Sequence, residues 1–371
     1  MKLDRFRPAN KRRGDYSILL VSMGLCLLGL LLISSASVVK SYEEFGSNNV
    51  YLLKQTTFLV IGLIAMIATS IIDYRIWQKY ALYILIGSIF LVLAVHLPFG
   101  ISISGARRWI EIGPLLFQPS ELMKLSFIIY LSAWLSSRGK EITSFPKGIF
   151  PVGVLIGLII ILLISQKDLG TTLVITTIGG IMVFLSGALL THISIGLVIG
   201  LFIFYGLIKL ESYRWQRLLT FLNPTADLQG AGYQINQALI AIGSGGLWGL
   251  GFGQSIQKYL YIPQVQTDMI FAIMAEELGY IRVSLILLAI LFLIFKIFSI
   301  AKSTSDVFGK LVCVGIGSWI LVQTFYNIAG VMGIIPLTGI PIPFLSYGGS
   351  SLLVLLMGMG IVYNISRSAQ K

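Results

Sequence analysis

The chain is a succession of apolar runs long enough to cross a bilayer, separated by shorter polar segments, and that spacing leaves few folds open to it. A hydrocarbon core about 30 Å thick takes roughly 20 residues of α-helix, and within it every backbone N–H and C=O must find a partner inside the protein. Runs of about 17 to 25 apolar residues place helices at 16–39, 51–72, 80–97, 120–136, 149–165, 171–189, 192–210, 268–298, 309–335 and 350–365. The expected fold class is all-α: a polytopic membrane helical bundle of about ten transmembrane helices, with a long outer loop between helices 7 and 8. Composition agrees, since only 11% of the 371 residues are charged, against about a quarter in an ordinary soluble domain.

The expected division is a basic cytoplasmic tail at 1–15, one transmembrane domain at 16–365 with a large extracytoplasmic loop at 211–267, and a cytoplasmic tail at 366–371. The first run has no small-residue cleavage site before Lys40, so it reads as a retained span and not a signal peptide. No repeat or low-complexity segment is visible, and any partner domain is expected on a separate chain.

The formal net charge is +12. Lys2, Arg5, Arg7, Lys11, Arg12 and Arg13 put the start of the chain in the cytoplasm by the positive-inside rule. Arg75 and Lys79, Arg138, Lys140 and Lys147, Lys296, Lys302 and Lys310, and finally Arg367 and Lys371 fall on the same predicted side. There they meet anionic headgroups. No groove-reading or base-stacking module accompanies them, so nucleic acid is not an expected partner. Cys26 and Cys313 lie inside apolar spans, and His96 and His192 stand alone. Neither a disulfide framework nor a metal ligand set is indicated.

Cations on the disfavoured outer side need a reason, and an anionic group such as a phosphate is one. They are Arg107 and Arg108, Lys167, and the group Arg214, Arg217 and Lys258. The 97–120 segment, with Gly105, Gly113, Pro114 and Pro119, suits an interfacial or re-entrant piece, with Ser120 as a helix N-cap. Arg107 and Arg108 either face a phosphate there or snorkel to headgroups beside Trp109. Lys167 and Asp168 read as a tight turn held by their own ion pair, or as a contribution to the site.

The long loop carries most of the outer polar chemistry. Arg214 and Arg217 share a face of an amphipathic helix at i and i+3, and Gln234 and Gln237 share a face of a second. Ser244 to Gly253 places glycines where close backbone approach or positive φ is required. Its amides suit an oxygen-rich anion; a flexible linker is the competing reading. Asp268 follows at the mouth of the next span, with Glu276 about 12 Å deeper along a regular helix. Asp268 is therefore the candidate working carboxylate, a general base or else an N-cap. Glu276 and Glu277 are read as structural or channel-lining. The final outer loop, from Ile335 to Ser351, is stiffened by three prolines and suits a polar cavity wall.

Gly105-Ala-Arg-Arg-Trp-Ile, Phe117-Gln-Pro-Ser-Glu121, Gly232-Tyr-Gln through Gly246, Gln257-Lys258 through Thr267-Asp268 to Gly279, and Pro343-Phe-Leu-Ser-Tyr-Gly-Gly-Ser-Ser351 occur in that order. Together they resemble the SEDS family (shape, elongation, division and sporulation) over nearly the whole chain. Gln257-Lys258 and Arg107-Arg108 look more like its division branch than its elongation branch. The resemblance implies a peptidoglycan glycosyltransferase that polymerises lipid II, an undecaprenyl-diphosphate-linked disaccharide peptide, at the outer face of the bacterial cytoplasmic membrane during septal wall synthesis. The implied partners are a class B penicillin-binding protein transpeptidase and other division proteins. Asp268 carries the family's essential acid. The resemblance suggests that Lys258 and the Arg107-Arg108 pair contribute to the cleft; Arg214, Arg217, Ser346 and Gly348 are further candidate substrate contacts, with no certain cofactor and a divalent ion (Mg or Mn) as an optional assistant.

Four positions depart from the family pattern. Gln266 and Met269 stand where His and Phe are commoner, Lys167 where proline is usual, and Arg282 where a small residue is usual. A lipid II flippase and a recruiting scaffold are the competing functions. A transporter should put its ionisable groups near midplane, whereas these crowd the outer side.

Overall fold

The computed structural model describes residues 14–103, 105–209, 211–222, 231–259 and 261–369. The basic residues 2–13, Lys371 and the 223–230 part of the long loop lie outside the described residues. Ten helices correspond in position to the expected spans: α1 Tyr16–Ala36, α3 Val50–Ile71, α4 Tyr74–Ala94, α5 Pro119–Arg138, α6 Phe150–Ser165, α7 Leu169–Leu185, α8 Leu190–Lys209, α11 Ile270–Ser303, α12 Val307–Val331 and α13 Gly349–Ser366. Three more, α2 Val38–Phe45, α9 Ser212–Leu222 and α10 Ala231–Ser244, lie between them. Among the described residues, eight helices are long and apolar enough to cross a membrane. Of the other two expected spans, α7 is apolar but has 17 residues, and α5 carries Glu121, Lys124 and Arg138.

The bundle is built around α12 and α13, the most buried spans, while α8 lies outermost with Ile208 its one buried residue among those described. The helix α13 packs closely on α3 because Gly360 has no side chain: a Cβ there would lie 2.1 Å from Thr69 Oγ1. Small residues of this kind allow the close helix approach that packing in lipid depends on.

The connections gather at two opposite ends. At one, Asp15 N donates to Ser366 Oγ (3.0 Å), Tyr74 N donates to Asn364 Oδ1 (3.0 Å) and Tyr74 stacks on Phe308. At the other lie the loops between α4 and α5, α6 and α7, α8 and α11, and α12 and α13. This grouping matches the loop sidedness expected from charge.

The segment between α4 and α5 is not helical. It forms a three-stranded antiparallel sheet, β1 Gly100–Ile103, β2 Ala106–Ile112 and β3 Leu115–Phe117, in that order. Gly113, at φ +60 and followed by Pro114, supplies the left-handed first turn residue that a two-residue hairpin needs. The bundle is thus helical with one small sheet at its loop-bearing end.

At 34 residues, α11 would run about 51 Å if straight, too long for one span. It breaks at Gly279, whose φ of 76° and ψ of 173° are non-helical. The broken turn exchanges its hydrogen bonds with the glycine-rich loop. Leu250 N and Gly251 N donate to the carbonyls of Glu276 and Glu277 (2.9 and 3.0 Å), and Tyr280 N and Ile281 N donate to those of Gly246 and Leu247 (2.9 and 3.2 Å). Two of the loop amides expected to cradle an anion, those of Leu250 and Gly251, are therefore committed to this kink. The close approach that the glycines announced is real: a Cβ on Gly249 would lie 2.2 Å from Glu277 O, and one on Gly279 would lie 2.2 Å from Gly249 N.

Gly249→Ala or Gly279→Ala should therefore destabilise the protein by at least about 1–3 kcal/mol from backbone strain. Gly87→Ala, on α4 with open space at its Cβ, should be neutral or slightly stabilising. Thermal unfolding of the detergent-purified chain distinguishes these outcomes.

Candidate active site

Asp268 lies just before α11, whose N-cap is Met269 and has no side-chain cap bond. The N-cap reading of Asp268 is thereby set aside. Its own carbonyl accepts from Asn327 Nδ2 of α12 (2.7 Å), and the same nitrogen donates to Ile340 O (2.7 Å). The carboxylate accepts from Thr267 Oγ1 (3.1 Å). Across Gly339 stands Arg217: a Cβ at that glycine would be 3.8 Å from Asp268 Oδ2 and 4.0 Å from Arg217 Nη1. Arg217 also donates to Leu337 O (3.2 Å). Asp268 and Asn327, with Leu337, Thr338, Gly339 and Ile340, line a shallow notch.

Asp268 keeps part of its surface open. Burial nevertheless pushes its carboxyl pKa above the ordinary aspartate value, against the opposing pull of Arg217, a backbone hydrogen bond and Thr267. Loss of hydration disfavours the charged form, and a nearby cation restores part of it.

The other expected site cations do not converge on Asp268. Three arginines instead satisfy carbonyls where helices end, groups that have no partner within the helix. Arg107 donates to His96 O (3.2 Å), Leu97 O (2.8 Å) and Gly100 O (3.0 Å), just past α4. Arg108 donates to Gln166 O (3.1 Å) and Lys167 O, just past α6. Arg214, which is buried, donates to Leu207 O (3.1 Å) in the last turn of α8. Arg214 and Arg217 thus leave α9 for different destinations, despite their i, i+3 spacing.

Lys258 is buried in an ion pair with Glu277 (3.1 Å) and donates to Ser35 Oγ of α1 (3.2 Å) and to Gly253 O. Glu277 also accepts from Ser35 Oγ (2.6 Å) and Ser255 N (3.3 Å), and Glu276 from Ser255 Oγ and Ile256 N (3.1 Å). The structural reading of both glutamates holds. The α12–α13 loop is held by its own polar atoms. Ser346 Oγ accepts from Ile342 N (2.8 Å), and Gly348 N donates to Gln55 Oε1 (3.2 Å). Ser346 and Gly348 shape that loop; they are not placed at the notch.

Two local expectations change. Lys167 pairs with Glu211 (3.6 Å) instead of Asp168, and its φ of 59° is one that a proline ring forbids. Asp168 caps α7 through Thr171 N (3.1 Å) and also accepts from Ser120 Oγ (3.1 Å) and Gln118 Nε2 (3.3 Å). Ser120 is therefore a partner of Asp168, and Gln118 occupies the N-cap of α5. Asn327 was not anticipated. Its signal was present, since a carboxamide inside a long apolar run is costly unless bonded.

Among the described residues no group of three or more His, Cys, Asp and Glu comes together as a metal cage.

The family model for FtsW, RodA and SpoVE, described as cell cycle protein, matches residues 16–371. The chain belongs to this family, the SEDS proteins. Among its relatives, this SEDS protein is 40% identical over 358 residues to stage V sporulation protein E of Bacillus subtilis, covering 96% of this chain and 98% of the relative. It is 37% identical over 355 residues to the probable peptidoglycan glycosyltransferase FtsW of Geobacter sulfurreducens, covering 95% of each. Its fold matches a chain from a peptidoglycan synthase complex, described for the coordination of polymerization and crosslinking, with a TM-score of 0.77. That match has 27% identity and covers 95% of this chain and 98% of the other. The SEDS bundle is thus the established frame for the notch at Asp268.

Lys258→Ala should cost about 3–5 kcal/mol by stranding the Glu277 charge. The pair Lys258→Met with Glu277→Gln should recover most of it. Unfolding midpoints of the three purified proteins give the comparison.

Proposed function

We propose that this SEDS protein is a peptidoglycan glycosyltransferase that polymerises lipid II, with Asp268 as its general base. The observation carrying the assignment is the partly buried Asp268, its carboxyl raised in pKa by burial and faced by Arg217 at the loop-bearing end of the bundle. The names of the relatives support the reaction class. By the charge of the connecting segments, that end is extracytoplasmic and both chain termini are cytoplasmic, in the bacterial cytoplasmic membrane. The proposed place of action is the division septum. The proposed partner is a class B penicillin-binding protein transpeptidase, consistent with the structural match to a peptidoglycan synthase complex.

In the reaction, a sugar hydroxyl attacks the anomeric carbon of a second lipid-linked chain. The new C–O bond forms as the bond to the polyprenyl diphosphate breaks, and the hydroxyl proton passes to Asp268. An elevated pKa suits a carboxylate to accept that proton near neutrality. Arg217, the cation beside Asp268, contributes positive field for the departing diphosphate. In this reading Arg107, Arg108, Arg214 and Lys258 act through the helix ends and the kink that they hold, and Ser346 and Gly348 through the loop. A divalent ion, Mg or Mn, would find a single carboxylate, Asp268, among the described residues that line the notch.

Asp268→Asn should lower glycan polymerisation from lipid II by about 10²–10⁴-fold, measured with the purified chain with and without its penicillin-binding partner. Retained polymerisation would remove Asp268 from the mechanism. Because burial raises its pKa, the charged form is the costly one: Asp268→Asn should unfold at a higher temperature than wild type at pH 7. The wild-type rate should fall as pH drops through a limb lying above the normal aspartate range. Arg217→Gln removes a pull toward lower pKa and should move that limb to higher pH.

A further inference from the structure

The wall of the notch opposite Asp268 is a loop strap, Leu337 to Pro341, and three side chains hold its carbonyls. Arg217 bonds Leu337 O, Asn327 bonds Ile340 O, and Gln323 Nε2 bonds Pro341 O (2.9 Å). Gln323 and Asn327 are four residues apart on α12, hence on one face, and both are buried. Asn327 shares its amide nitrogen between the strap and the Asp268 backbone, which ties the two walls of the notch together.

The orientation of Gln323 is forced. Its Oε1 accepts from Lys124 Nζ (2.9 Å) and Trp319 Nε1 (2.6 Å), which leaves Nε2 to face Pro341. Lys124 is itself anchored by Glu121 one turn away on α5 (2.8 Å), with its ammonium 4.9 Å from the Trp319 ring centroid. A buried ion pair is a rigid anchor, since moving either member would strand a charge.

We propose that Asn327 and Gln323 are positioning residues for glycosyl transfer, holding the Leu337–Pro341 strap against Asp268 and so setting the gap between the Asp268 carboxylate and the Arg217 guanidinium. The inference rests on Asp268 being the base. The Glu121–Lys124 pair anchors the device through Gln323. Neither amide touches the reacting atoms; each acts through the backbone that it clamps. A displacement of about 1 Å between a base and its substrate is enough to cost about 10²-fold in rate, so a clamp of this kind acts on turnover before it acts on binding.

The test compares Asn327→Ala, Gln323→Glu and Asp268→Asn as full-length purified proteins, with lipid II polymerisation rates expressed per folded molecule. Gln323→Glu is the discriminating variant: it keeps an acceptor for Lys124 and Trp319 and, ionised, replaces the donor to Pro341 by a carboxylate oxygen. Asn327→Ala should lower kcat by about 10–100-fold with KM for lipid II within about threefold. Gln323→Glu should move in the same direction. In both, the acid limb of the rate profile should shift to lower pH, because a loosened strap admits water to a carboxylate whose charged neighbour is Arg217. Wild-type kcat and an unmoved limb in the two amide variants, beside an inactive Asp268→Asn, would overturn the positioning role alone. An active Asp268→Asn would instead sink the base assignment beneath it. If Asn327→Ala fails to fold, Gln323→Glu decides between the outcomes by its kcat and its pH limb.

Discussion

Where a helix ends or breaks at the edge of a bilayer, its unpaired carbonyls and amides must be bonded by something other than bulk water. At the loop-bearing end that constraint governs most of the polar structure. Arg107, Arg108 and Arg214 each close the end of a different helix. The glycine-rich loop lends two amides and two carbonyls to the break at Gly279. Asn327 and Gln323 bond the loop that precedes α13. Side chains that suggest a ligand in isolation are thus committed to main chain.

The same accounting separates the charges into two kinds. Lys258 with Glu277 and Lys124 with Glu121 are buried, paired and bonded to further polar groups. Such pairs add little net stability over apolar packing, but they are costly to break and therefore fix geometry. Asp268 differs: it faces Arg217 across Gly339, part of its surface stays open, and burial raises its pKa. A carboxylate held in that condition is poorly spent on stability and well suited to exchange a proton.

The family relationship and the local geometry bear on different questions. Similarity over 95–96% of the chain to the two relatives establishes the SEDS fold. It does not say why Lys167 can stand before Asp168 here. The left-handed turn at that position and the bridge to Glu211 supply the reason, since a proline could make neither. Arg282 is accommodated in a similar way, donating to Trp248 O (3.2 Å) and so bracing the glycine-rich loop from the far side of the break.

Helix positions, the long loop and the separation of connections between two ends were legible in the sequence, because apolar run length and backbone satisfaction in lipid are local properties of the chain. Asp268 was legible for the same reason, as an acid at the mouth of a span. The glycine at 249 announced close approach, though not that Gly279 would be its partner. The sheet at 100–117, the destinations of the arginines and the roles of Asn327 and Gln323 were decided only by tertiary structure. Each depends on which carbonyl from a distant segment arrives within 3 Å of a donor, and residue spacing along the chain carries no record of that meeting.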